Sequence, residues 1–158
     1  MKPKTIALGL IGFLVVLDQI SKALIARSLA LYESRPVIRG FLALVHSRND
    51  GAIFGFMSHA GSPAFRLALA VASVVALALV VFYFIKTPGR DVLMLTALSL
   101  ILAGALGNNI DRLTRGYVVD FIDVYVKRWH WPVFNAADSC ISIGAVLLFI
   151  VLFRRKPA

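Results

Sequence analysis

Cysteine is almost missing from this chain: Cys140 stands alone among 158 residues, which excludes an internal disulfide and a multi-cysteine metal site. Charge is scarce as well, at 16% of residues against about 25% in ordinary soluble domains. Acid is scarcer still, with 8 Asp and Glu against 17 Lys and Arg and a formal net charge of +9. There is no internal repeat and no low-complexity segment. The opening MKPKTIALGLIGFLVVL has the basic and apolar regions of a signal peptide. However, no convincing small-residue cleavage site follows at the usual distance, so it reads as a retained first helix. What the chain does have is hydrophobic residues, 59% of the total, gathered in four long apolar runs that take up more than half of it. The chain is a membrane protein of one domain, residues 1–158, with no room for a separate soluble module.

The basic excess could point to nucleic acid or to an anionic lipid surface. The basic residues flank apolar runs and form no long cluster, so membrane lipids are the expected partner and nucleic acid is not.

The apolar runs give spans at about residues 5–26, 63–85, 91–110 and 136–153. The first crosses about 30 Å of hydrocarbon only if Asp18 and Lys22 lie near one interface. Ser62 suits an N-cap and Pro63 the first helical position, and KTPGR makes a tight turn after the second span. Four spans put both termini on one side with the short 86–90 loop. The longer connections, about 27–62 and 111–135, lie on the other. The side of the termini holds Lys2, Lys4, Lys86, Arg90, Arg154, Arg155 and Lys156 in very few residues, and seven of the eight acids lie opposite. Charge density therefore places the termini in the cytoplasm. In the first long connection PVIRGFLALVHS reads as strands and RNDG as a turn, which suggests a small sheet lying on the membrane face. In the second, GYVVDFIDVYVKRWHWPVF is β-branched, aromatic and basic, suited to the headgroup layer.

The unusual polar residues fall near one membrane face: Asp18, Lys22, Asn49, Asn108, Asn109, Asp111, Arg112, Asp120, Asp123, Asn135 and Asp138. Ionisable groups at membrane depth are costly and usually face an interior or a cavity. Each also has a plainer reading. Asp138 equally suits the positive end of the fourth helix. Asp18 and Lys22, at i and i+4, read first as a self-contained ion pair and second as substrate-positioning groups. Asp111 and Arg112 suit tethering at a helix end, and Asn49-Asp50-Gly51 is first of all a turn. Phe54, Phe56 and Trp129-His130-Trp131 read as interfacial anchors, and Cys140 as helix packing. His46, His59 and His130 have no metal-ligand spacing and read as exposed loop residues. Asp120 and Asp138 together are harder to explain as structure. Asp120 sits in VVDFI, where burial would raise its pKa. If Asp138 lies beside it, the two would share a proton, with one member activating water and the other polarising a carbonyl.

DQISK, NDGAIFGF, GNNIDRLTRGYVVDFIDVY and FNAADSC, in that order, resemble the blocks of the lipoprotein signal peptidases (signal peptidase II). The resemblance covers nearly the whole chain. It implies an α-helical integral membrane protein with four transmembrane helices, a small extracytoplasmic β-cradle and an interfacial, lid-like helix. It implies an aspartic endopeptidase of the bacterial inner membrane, inhibited by globomycin, that removes the signal peptide of diacylglyceryl-modified prolipoproteins just before the lipidated cysteine. The active site would lie near the outer face. The matching positions imply Asp120 and Asp138 as the catalytic pair. They imply Asp18, Lys22, Asn49, Gly51, Asn108, Arg112, Asn135 and Ala137 as substrate-binding or site-supporting residues. No cofactor or metal is expected, and the chain is expected to act as a monomer. Leu100 departs from a glycine common in the family's third helix and bears only on local packing. Two other classes use similar residues: a proton-coupled transporter or small channel, and a non-catalytic assembly subunit held by polar helix contacts.

Overall fold

The computed structural model describes residues 2–49 and 63–154, with side chains from residue 71 onward in the second helix. Gly51, Phe54, Phe56, His59 and the Ser62 cap lie outside the described residues. In chain order the elements are α1 (Pro3–Ser28), β1 (Ser34–Ile38), β2 (Leu42–Asn49), α2 (Pro63–Lys86), α3 (Val92–Arg115), β3 (Val118–Val126), β4 (Trp129–His130) and α4 (Ala136–Arg154).

The helices follow the apolar runs and stop where caps allow. Pro3 opens α1, where a missing N–H costs nothing. The Asp91 carboxylate accepts the Met94 N–H at 3.2 Å and so caps α3. At the far end Gly116 takes φ 80°, and its N–H closes on the Arg112 carbonyl. This corrects the expected end near residue 110. The acid at 111 does not break the helix, because its side chain is fully buried and paired within the bundle.

The burial pattern is that of a lipid-embedded bundle. Phe13, Leu24, Phe149 and Phe153 point outward and exposed, whereas Asp18 and Lys22 are 2% and 0% exposed. Large apolar side chains outside and charges inside reverse the rule for soluble domains. The chain is thus a multi-pass membrane protein: α1, α3 and α4 are each long and apolar enough to cross a bilayer, while the apolar part of α2 that is described, Val71–Lys86, is shorter. Glycines set the closest approach. A Cβ at Gly104 would collide with the Ala137 carbonyl oxygen, and one at Gly144 would sit 2.8 Å from the Ala97 carbonyl oxygen. α3 and α4 therefore pack backbone to backbone, as small residues permit in membranes.

The strands form one antiparallel sheet in the order β1-β2-β3-β4. Leu44 faces Ile122 and Ser47 faces Asp120, so β2 carries one extra residue and bulges beside Asp120. Both long connections therefore contribute strands, as their composition suggests. Among the described residues there is no interfacial helix.

Candidate active site

Five elements bring polar side chains to one place. The start of α4 comes first, because its amides must be satisfied. Asn135 is the N-cap: its Oδ1 accepts the Asp138 N–H at 2.9 Å, and Asp138 Oδ2 accepts the Asn135 N–H at 3.1 Å. This reciprocal arrangement is a capping box. The Ala137 N–H is taken by Asp18 Oδ1, 3.0 Å away and 119 residues earlier in the chain. Residues 135, 137 and 138 thus hold the helix end that presents Asp138.

Beneath it lies a sealed ionic cluster. Lys22 Nζ reaches Asp18 Oδ2 at 2.8 Å, Asp111 Oδ2 at 3.0 Å and Asn108 Oδ1 at 2.9 Å. The Asp18 and Lys22 pair is therefore not self-contained, as their spacing suggests, but joins α1 to α3. Asp111 also meets Arg115 at 3.6 Å and accepts the Val119 N–H at 3.3 Å. The tether to the Asp120 segment is thus Asp111. Arg112 is exposed, makes no ion pair among the described residues, and lines the adjoining cavity.

Two amides connect this cluster to the carboxylates above it. Because Asn108 Oδ1 accepts from Lys22, its Nδ2 is turned to Asp138 Oδ1, at 2.8 Å. Because Asn135 Oδ1 accepts from the Asp138 amide, its Nδ2 is turned to Asp120 Oδ1 at 2.7 Å and Asn108 Oδ1 at 3.2 Å. Asn49, across the sheet, donates to Asp120 Oδ2 at 3.1 Å. Asp120 and Asp138 are therefore fed by amide donors alone, with no cation bonded to either among the described residues. Burial, followed by the nearby charge of Asp138, raises the Asp120 pKa from the usual carboxylate value to about 6, against the opposing pull of Asn49, Asn135 and Lys22. Both carboxylates open on a cavity of about 420 Å³, walled by Leu77 and Val80 of α2 and Ile101 and Ile141 of α3 and α4. Two carboxyls, one of them poised to hold a proton, at the end of an apolar cavity can run general acid–base chemistry on water.

Other expectations change. Asp123 is not among the cavity-lining groups and bonds His130 Nδ1 at 2.9 Å. His46 is not an exposed loop residue: it is buried, with Nδ1 on the Leu29 carbonyl at 3.0 Å. Among the described residues no group of three His, Cys, Asp or Glu is placed to hold a metal. Two supporting residues carried no sequence signal of their own. Gln19 donates to Asp18 at 3.2 Å and to the Gly107 carbonyl at 3.0 Å. A Cβ at Gly107 would lie 2.5 Å from Asp18 Oδ2, so glycine makes the room that Asp18 occupies.

Comparison with known proteins fits this geometry. The model of the family described as signal peptidase (SPase) II matches residues 10–154. The lipoprotein signal peptidase of Syntrophus aciditrophicus is 43% identical over 157 residues, covering 98% of this chain and 96% of its own. That of Ralstonia nicotianae is 47% identical, covering 94% and 84%. A bacterial membrane enzyme solved by the in meso method is 35% identical, with a TM-score of 0.81 over 98% of this chain and 94% of its own. By sequence along nearly its whole length, and by fold, the chain belongs to the signal peptidase II family.

Proposed function

We propose that Asp120 and Asp138 are the catalytic pair of an intramembrane endopeptidase. As a member of its family the chain is an aspartic-type peptidase that removes signal peptides from prolipoproteins. The observation that carries the site assignment is that two carboxyls from different elements, β3 and α4, meet at one cavity and are bridged through Asn135.

The substrate's apolar signal helix lies against the bundle, with its diacylglyceryl chains still in the bilayer and the bond before the lipidated cysteine at the cavity. The ionised member of the pair takes a proton from water as its oxygen attacks the scissile carbonyl carbon. The protonated member gives its proton to the carbonyl oxygen. Collapse of the gem-diol adduct breaks the C–N bond: the leaving amine takes up the proton gained from water, and an adduct hydroxyl returns its proton to the other carboxylate, restoring the singly protonated pair. The two carboxyls titrate as a unit, so neither step is tied to one of them. Asn108 and Asn135 hold the carboxyls with their N–H groups turned inward. Asn49 and Gly51 offer side-chain and backbone polar groups to the peptide, and Arg112 stands at the cavity wall. Neither a metal nor a cofactor has a part in these steps.

The same reading makes residues 1–158 one membrane-embedded domain with four spans, α2 included. The chain works as a monomer among membrane lipids of the bacterial inner membrane, with cytoplasmic termini, the pair near the outer face, and globomycin as an inhibitor. Incubating the purified protein with diacylglyceryl-modified prolipoprotein, without any ion gradient, tests it. A gel-mobility shift that globomycin blocks is expected. No shift, or a shift at the wild-type rate in Asp138→Asn, would remove the assignment.

A further inference from the structure

Asn49 is the last residue of β2, and its amide reaches across the sheet to give Asp120 Oδ2 a 3.1 Å hydrogen bond. The backbone there is weakly secured. The bulge before Ser47 interrupts the β2–β3 ladder, and three register pairs lie beyond it: Ser47 with Asp120, Arg48 with Val119 and Asn49 with Val118. A strand end held by so short a ladder opens more readily than the middle of a sheet.

Side chains alternate along a strand, so Asn49 and Asp120 share one face while Arg48 takes the other. There the guanidinium carbon of Arg48 stands 4.4 Å from the centroid of the Tyr117 ring, a cation–π contact. Arg48 is exposed and makes no ion pair among the described residues. Tyr117 is a firm anchor for it. The residue lies between Gly116, the left-handed cap of α3, and the first residue of β3, and it packs on the core formed by Ile25 and Leu29 of α1 with Val119 and Phe121.

We propose that Arg48 and Tyr117 are positioning residues: their stack clips the end of β2 to the corner between α3 and β3 and so keeps the Asn49 amide on Asp120. The inference rests on the peptidase reading of Asp120 and Asp138 and extends it to two residues that are not among the cavity-lining groups.

The clip has a consequence for protonation. The groups acting on Asp120 are Asn49 of β2, Asn135 at the α4 cap, Lys22 of α1 and Asp138 of α4. The Asn49 N–H stabilises the ionised carboxyl and, with Asn135 and Lys22, opposes the upward push of burial and of Asp138. When the clip is lost, Asn49 spends part of its time withdrawn, and Asp120 keeps its proton to higher pH.

The pH dependence of kcat/KM for diacylglyceryl-modified prolipoprotein tests the clip. Arg48→Met should lower kcat/KM below the falling limb by about two- to fivefold, the factor an exposed cation–π contact is worth. It should also move that limb, which begins at about pH 6, to higher pH. Tyr117→Leu should do the same, and because it keeps the Arg48 charge it separates the clip from the loss of a nearby cation. Arg48→Lys and Tyr117→Phe, which keep a cation and a ring, should return the profile toward the wild type. Asn49→Ala should shift the limb in the same direction, and adding Arg48→Met to it should shift it no further, because the clip acts through that amide. A general loss of stability would lower rates without moving the limb. An unmoved limb in Arg48→Met and Tyr117→Leu, or additive shifts in the double variant, would overturn the clip. The peptidase reading is separately tested by wild-type cleavage in the same assay.

Discussion

Two groups of acids lie one amide apart in this molecule and are built in opposite ways. Around Lys22, two carboxylates share a fully buried cation, and each has further donors: Asp18 the Ala137 amide, Asp111 the Val119 amide. Around the cavity, Asp120 and Asp138 have only neutral amide donors and an open side. A cation bonded directly to a carboxylate fixes it as an anion and makes it structural. Neutral donors leave its protonation free to change, which catalysis needs. Asn108 joins the two groups, accepting from Lys22 and donating to Asp138. The ionic cluster thereby orients the titratable pair without neutralising it.

The contrast breaks most visibly through substitutions on its two sides. Asp138→Asn should lower the cleavage rate by about 10²–10⁴-fold, the usual worth of a general acid or base. Its melting temperature in detergent should stay near that of the wild type. Lys22→Met should do the reverse first. It leaves Asp18 and Asp111 buried without their cation, which costs about 3–5 kcal/mol and shows as early thermal unfolding, with activity lost as a consequence. A Lys22→Met protein that melts normally yet fails to cleave would move Lys22 from the structural side to the catalytic one.

A smaller effect follows from pH. Folded Asp120 holds its proton up to about pH 6, whereas the unfolded chain releases it near the ordinary value of about 3.9. Between those values the folded state binds more protons than the unfolded one, so this group's contribution to stability is present below the window and is lost as pH rises through it. The wild type should therefore lose stability relative to Asp120→Asn between about pH 4 and pH 6. The wild-type kcat/KM should begin to fall above about pH 6 as the shared proton leaves the pair. Parallel melting curves for the two proteins across that range would contradict the assignment of the raised pKa.

Smaller again, Gly107→Ala should cost about 1–3 kcal/mol, because its methyl would press on Asp18. Thermal melting reads this directly. Cys140→Ala should keep most activity, since the proposed mechanism uses water and not a thiol as nucleophile; complete inactivation by alkylation at Cys140 would contradict that.

The elements were legible in the sequence because the bilayer imposes long apolar runs and the strands are rich in β-branched residues. That Asp120 and Asp138 open on one cavity was legible for a different reason, since a carboxylate in VVDFI has few structural uses. What stayed hidden depends on contacts across the chain. Asp18 and Lys22 look like a local pair because spacing reveals i and i+4 neighbours, but not an Asp111 brought in by another helix. Gly107 reads as one more membrane glycine until Asp18 is seen against it. His46 resembles a loop residue because its partner, the Leu29 carbonyl, lies at the end of α1. The true end of α3 was hidden because the burial of Asp111 depends on Lys22.

Asp120 and Asp123 offer the most direct test. They stand three residues apart on β3, on opposite faces of the strand, one bonded to Asn49 and Asn135 and the other to His130. The same substitution at both, with initial rates of cleavage of lipidated prolipoprotein measured at matched membrane levels, compares the two faces with nothing else changed. Asp120→Asn is predicted to show no cleavage above background and Asp123→Asn measurable turnover. An Asp120→Asn protein that still cuts while Asp123→Asn is dead would contradict the pairing of Asp120 with Asp138.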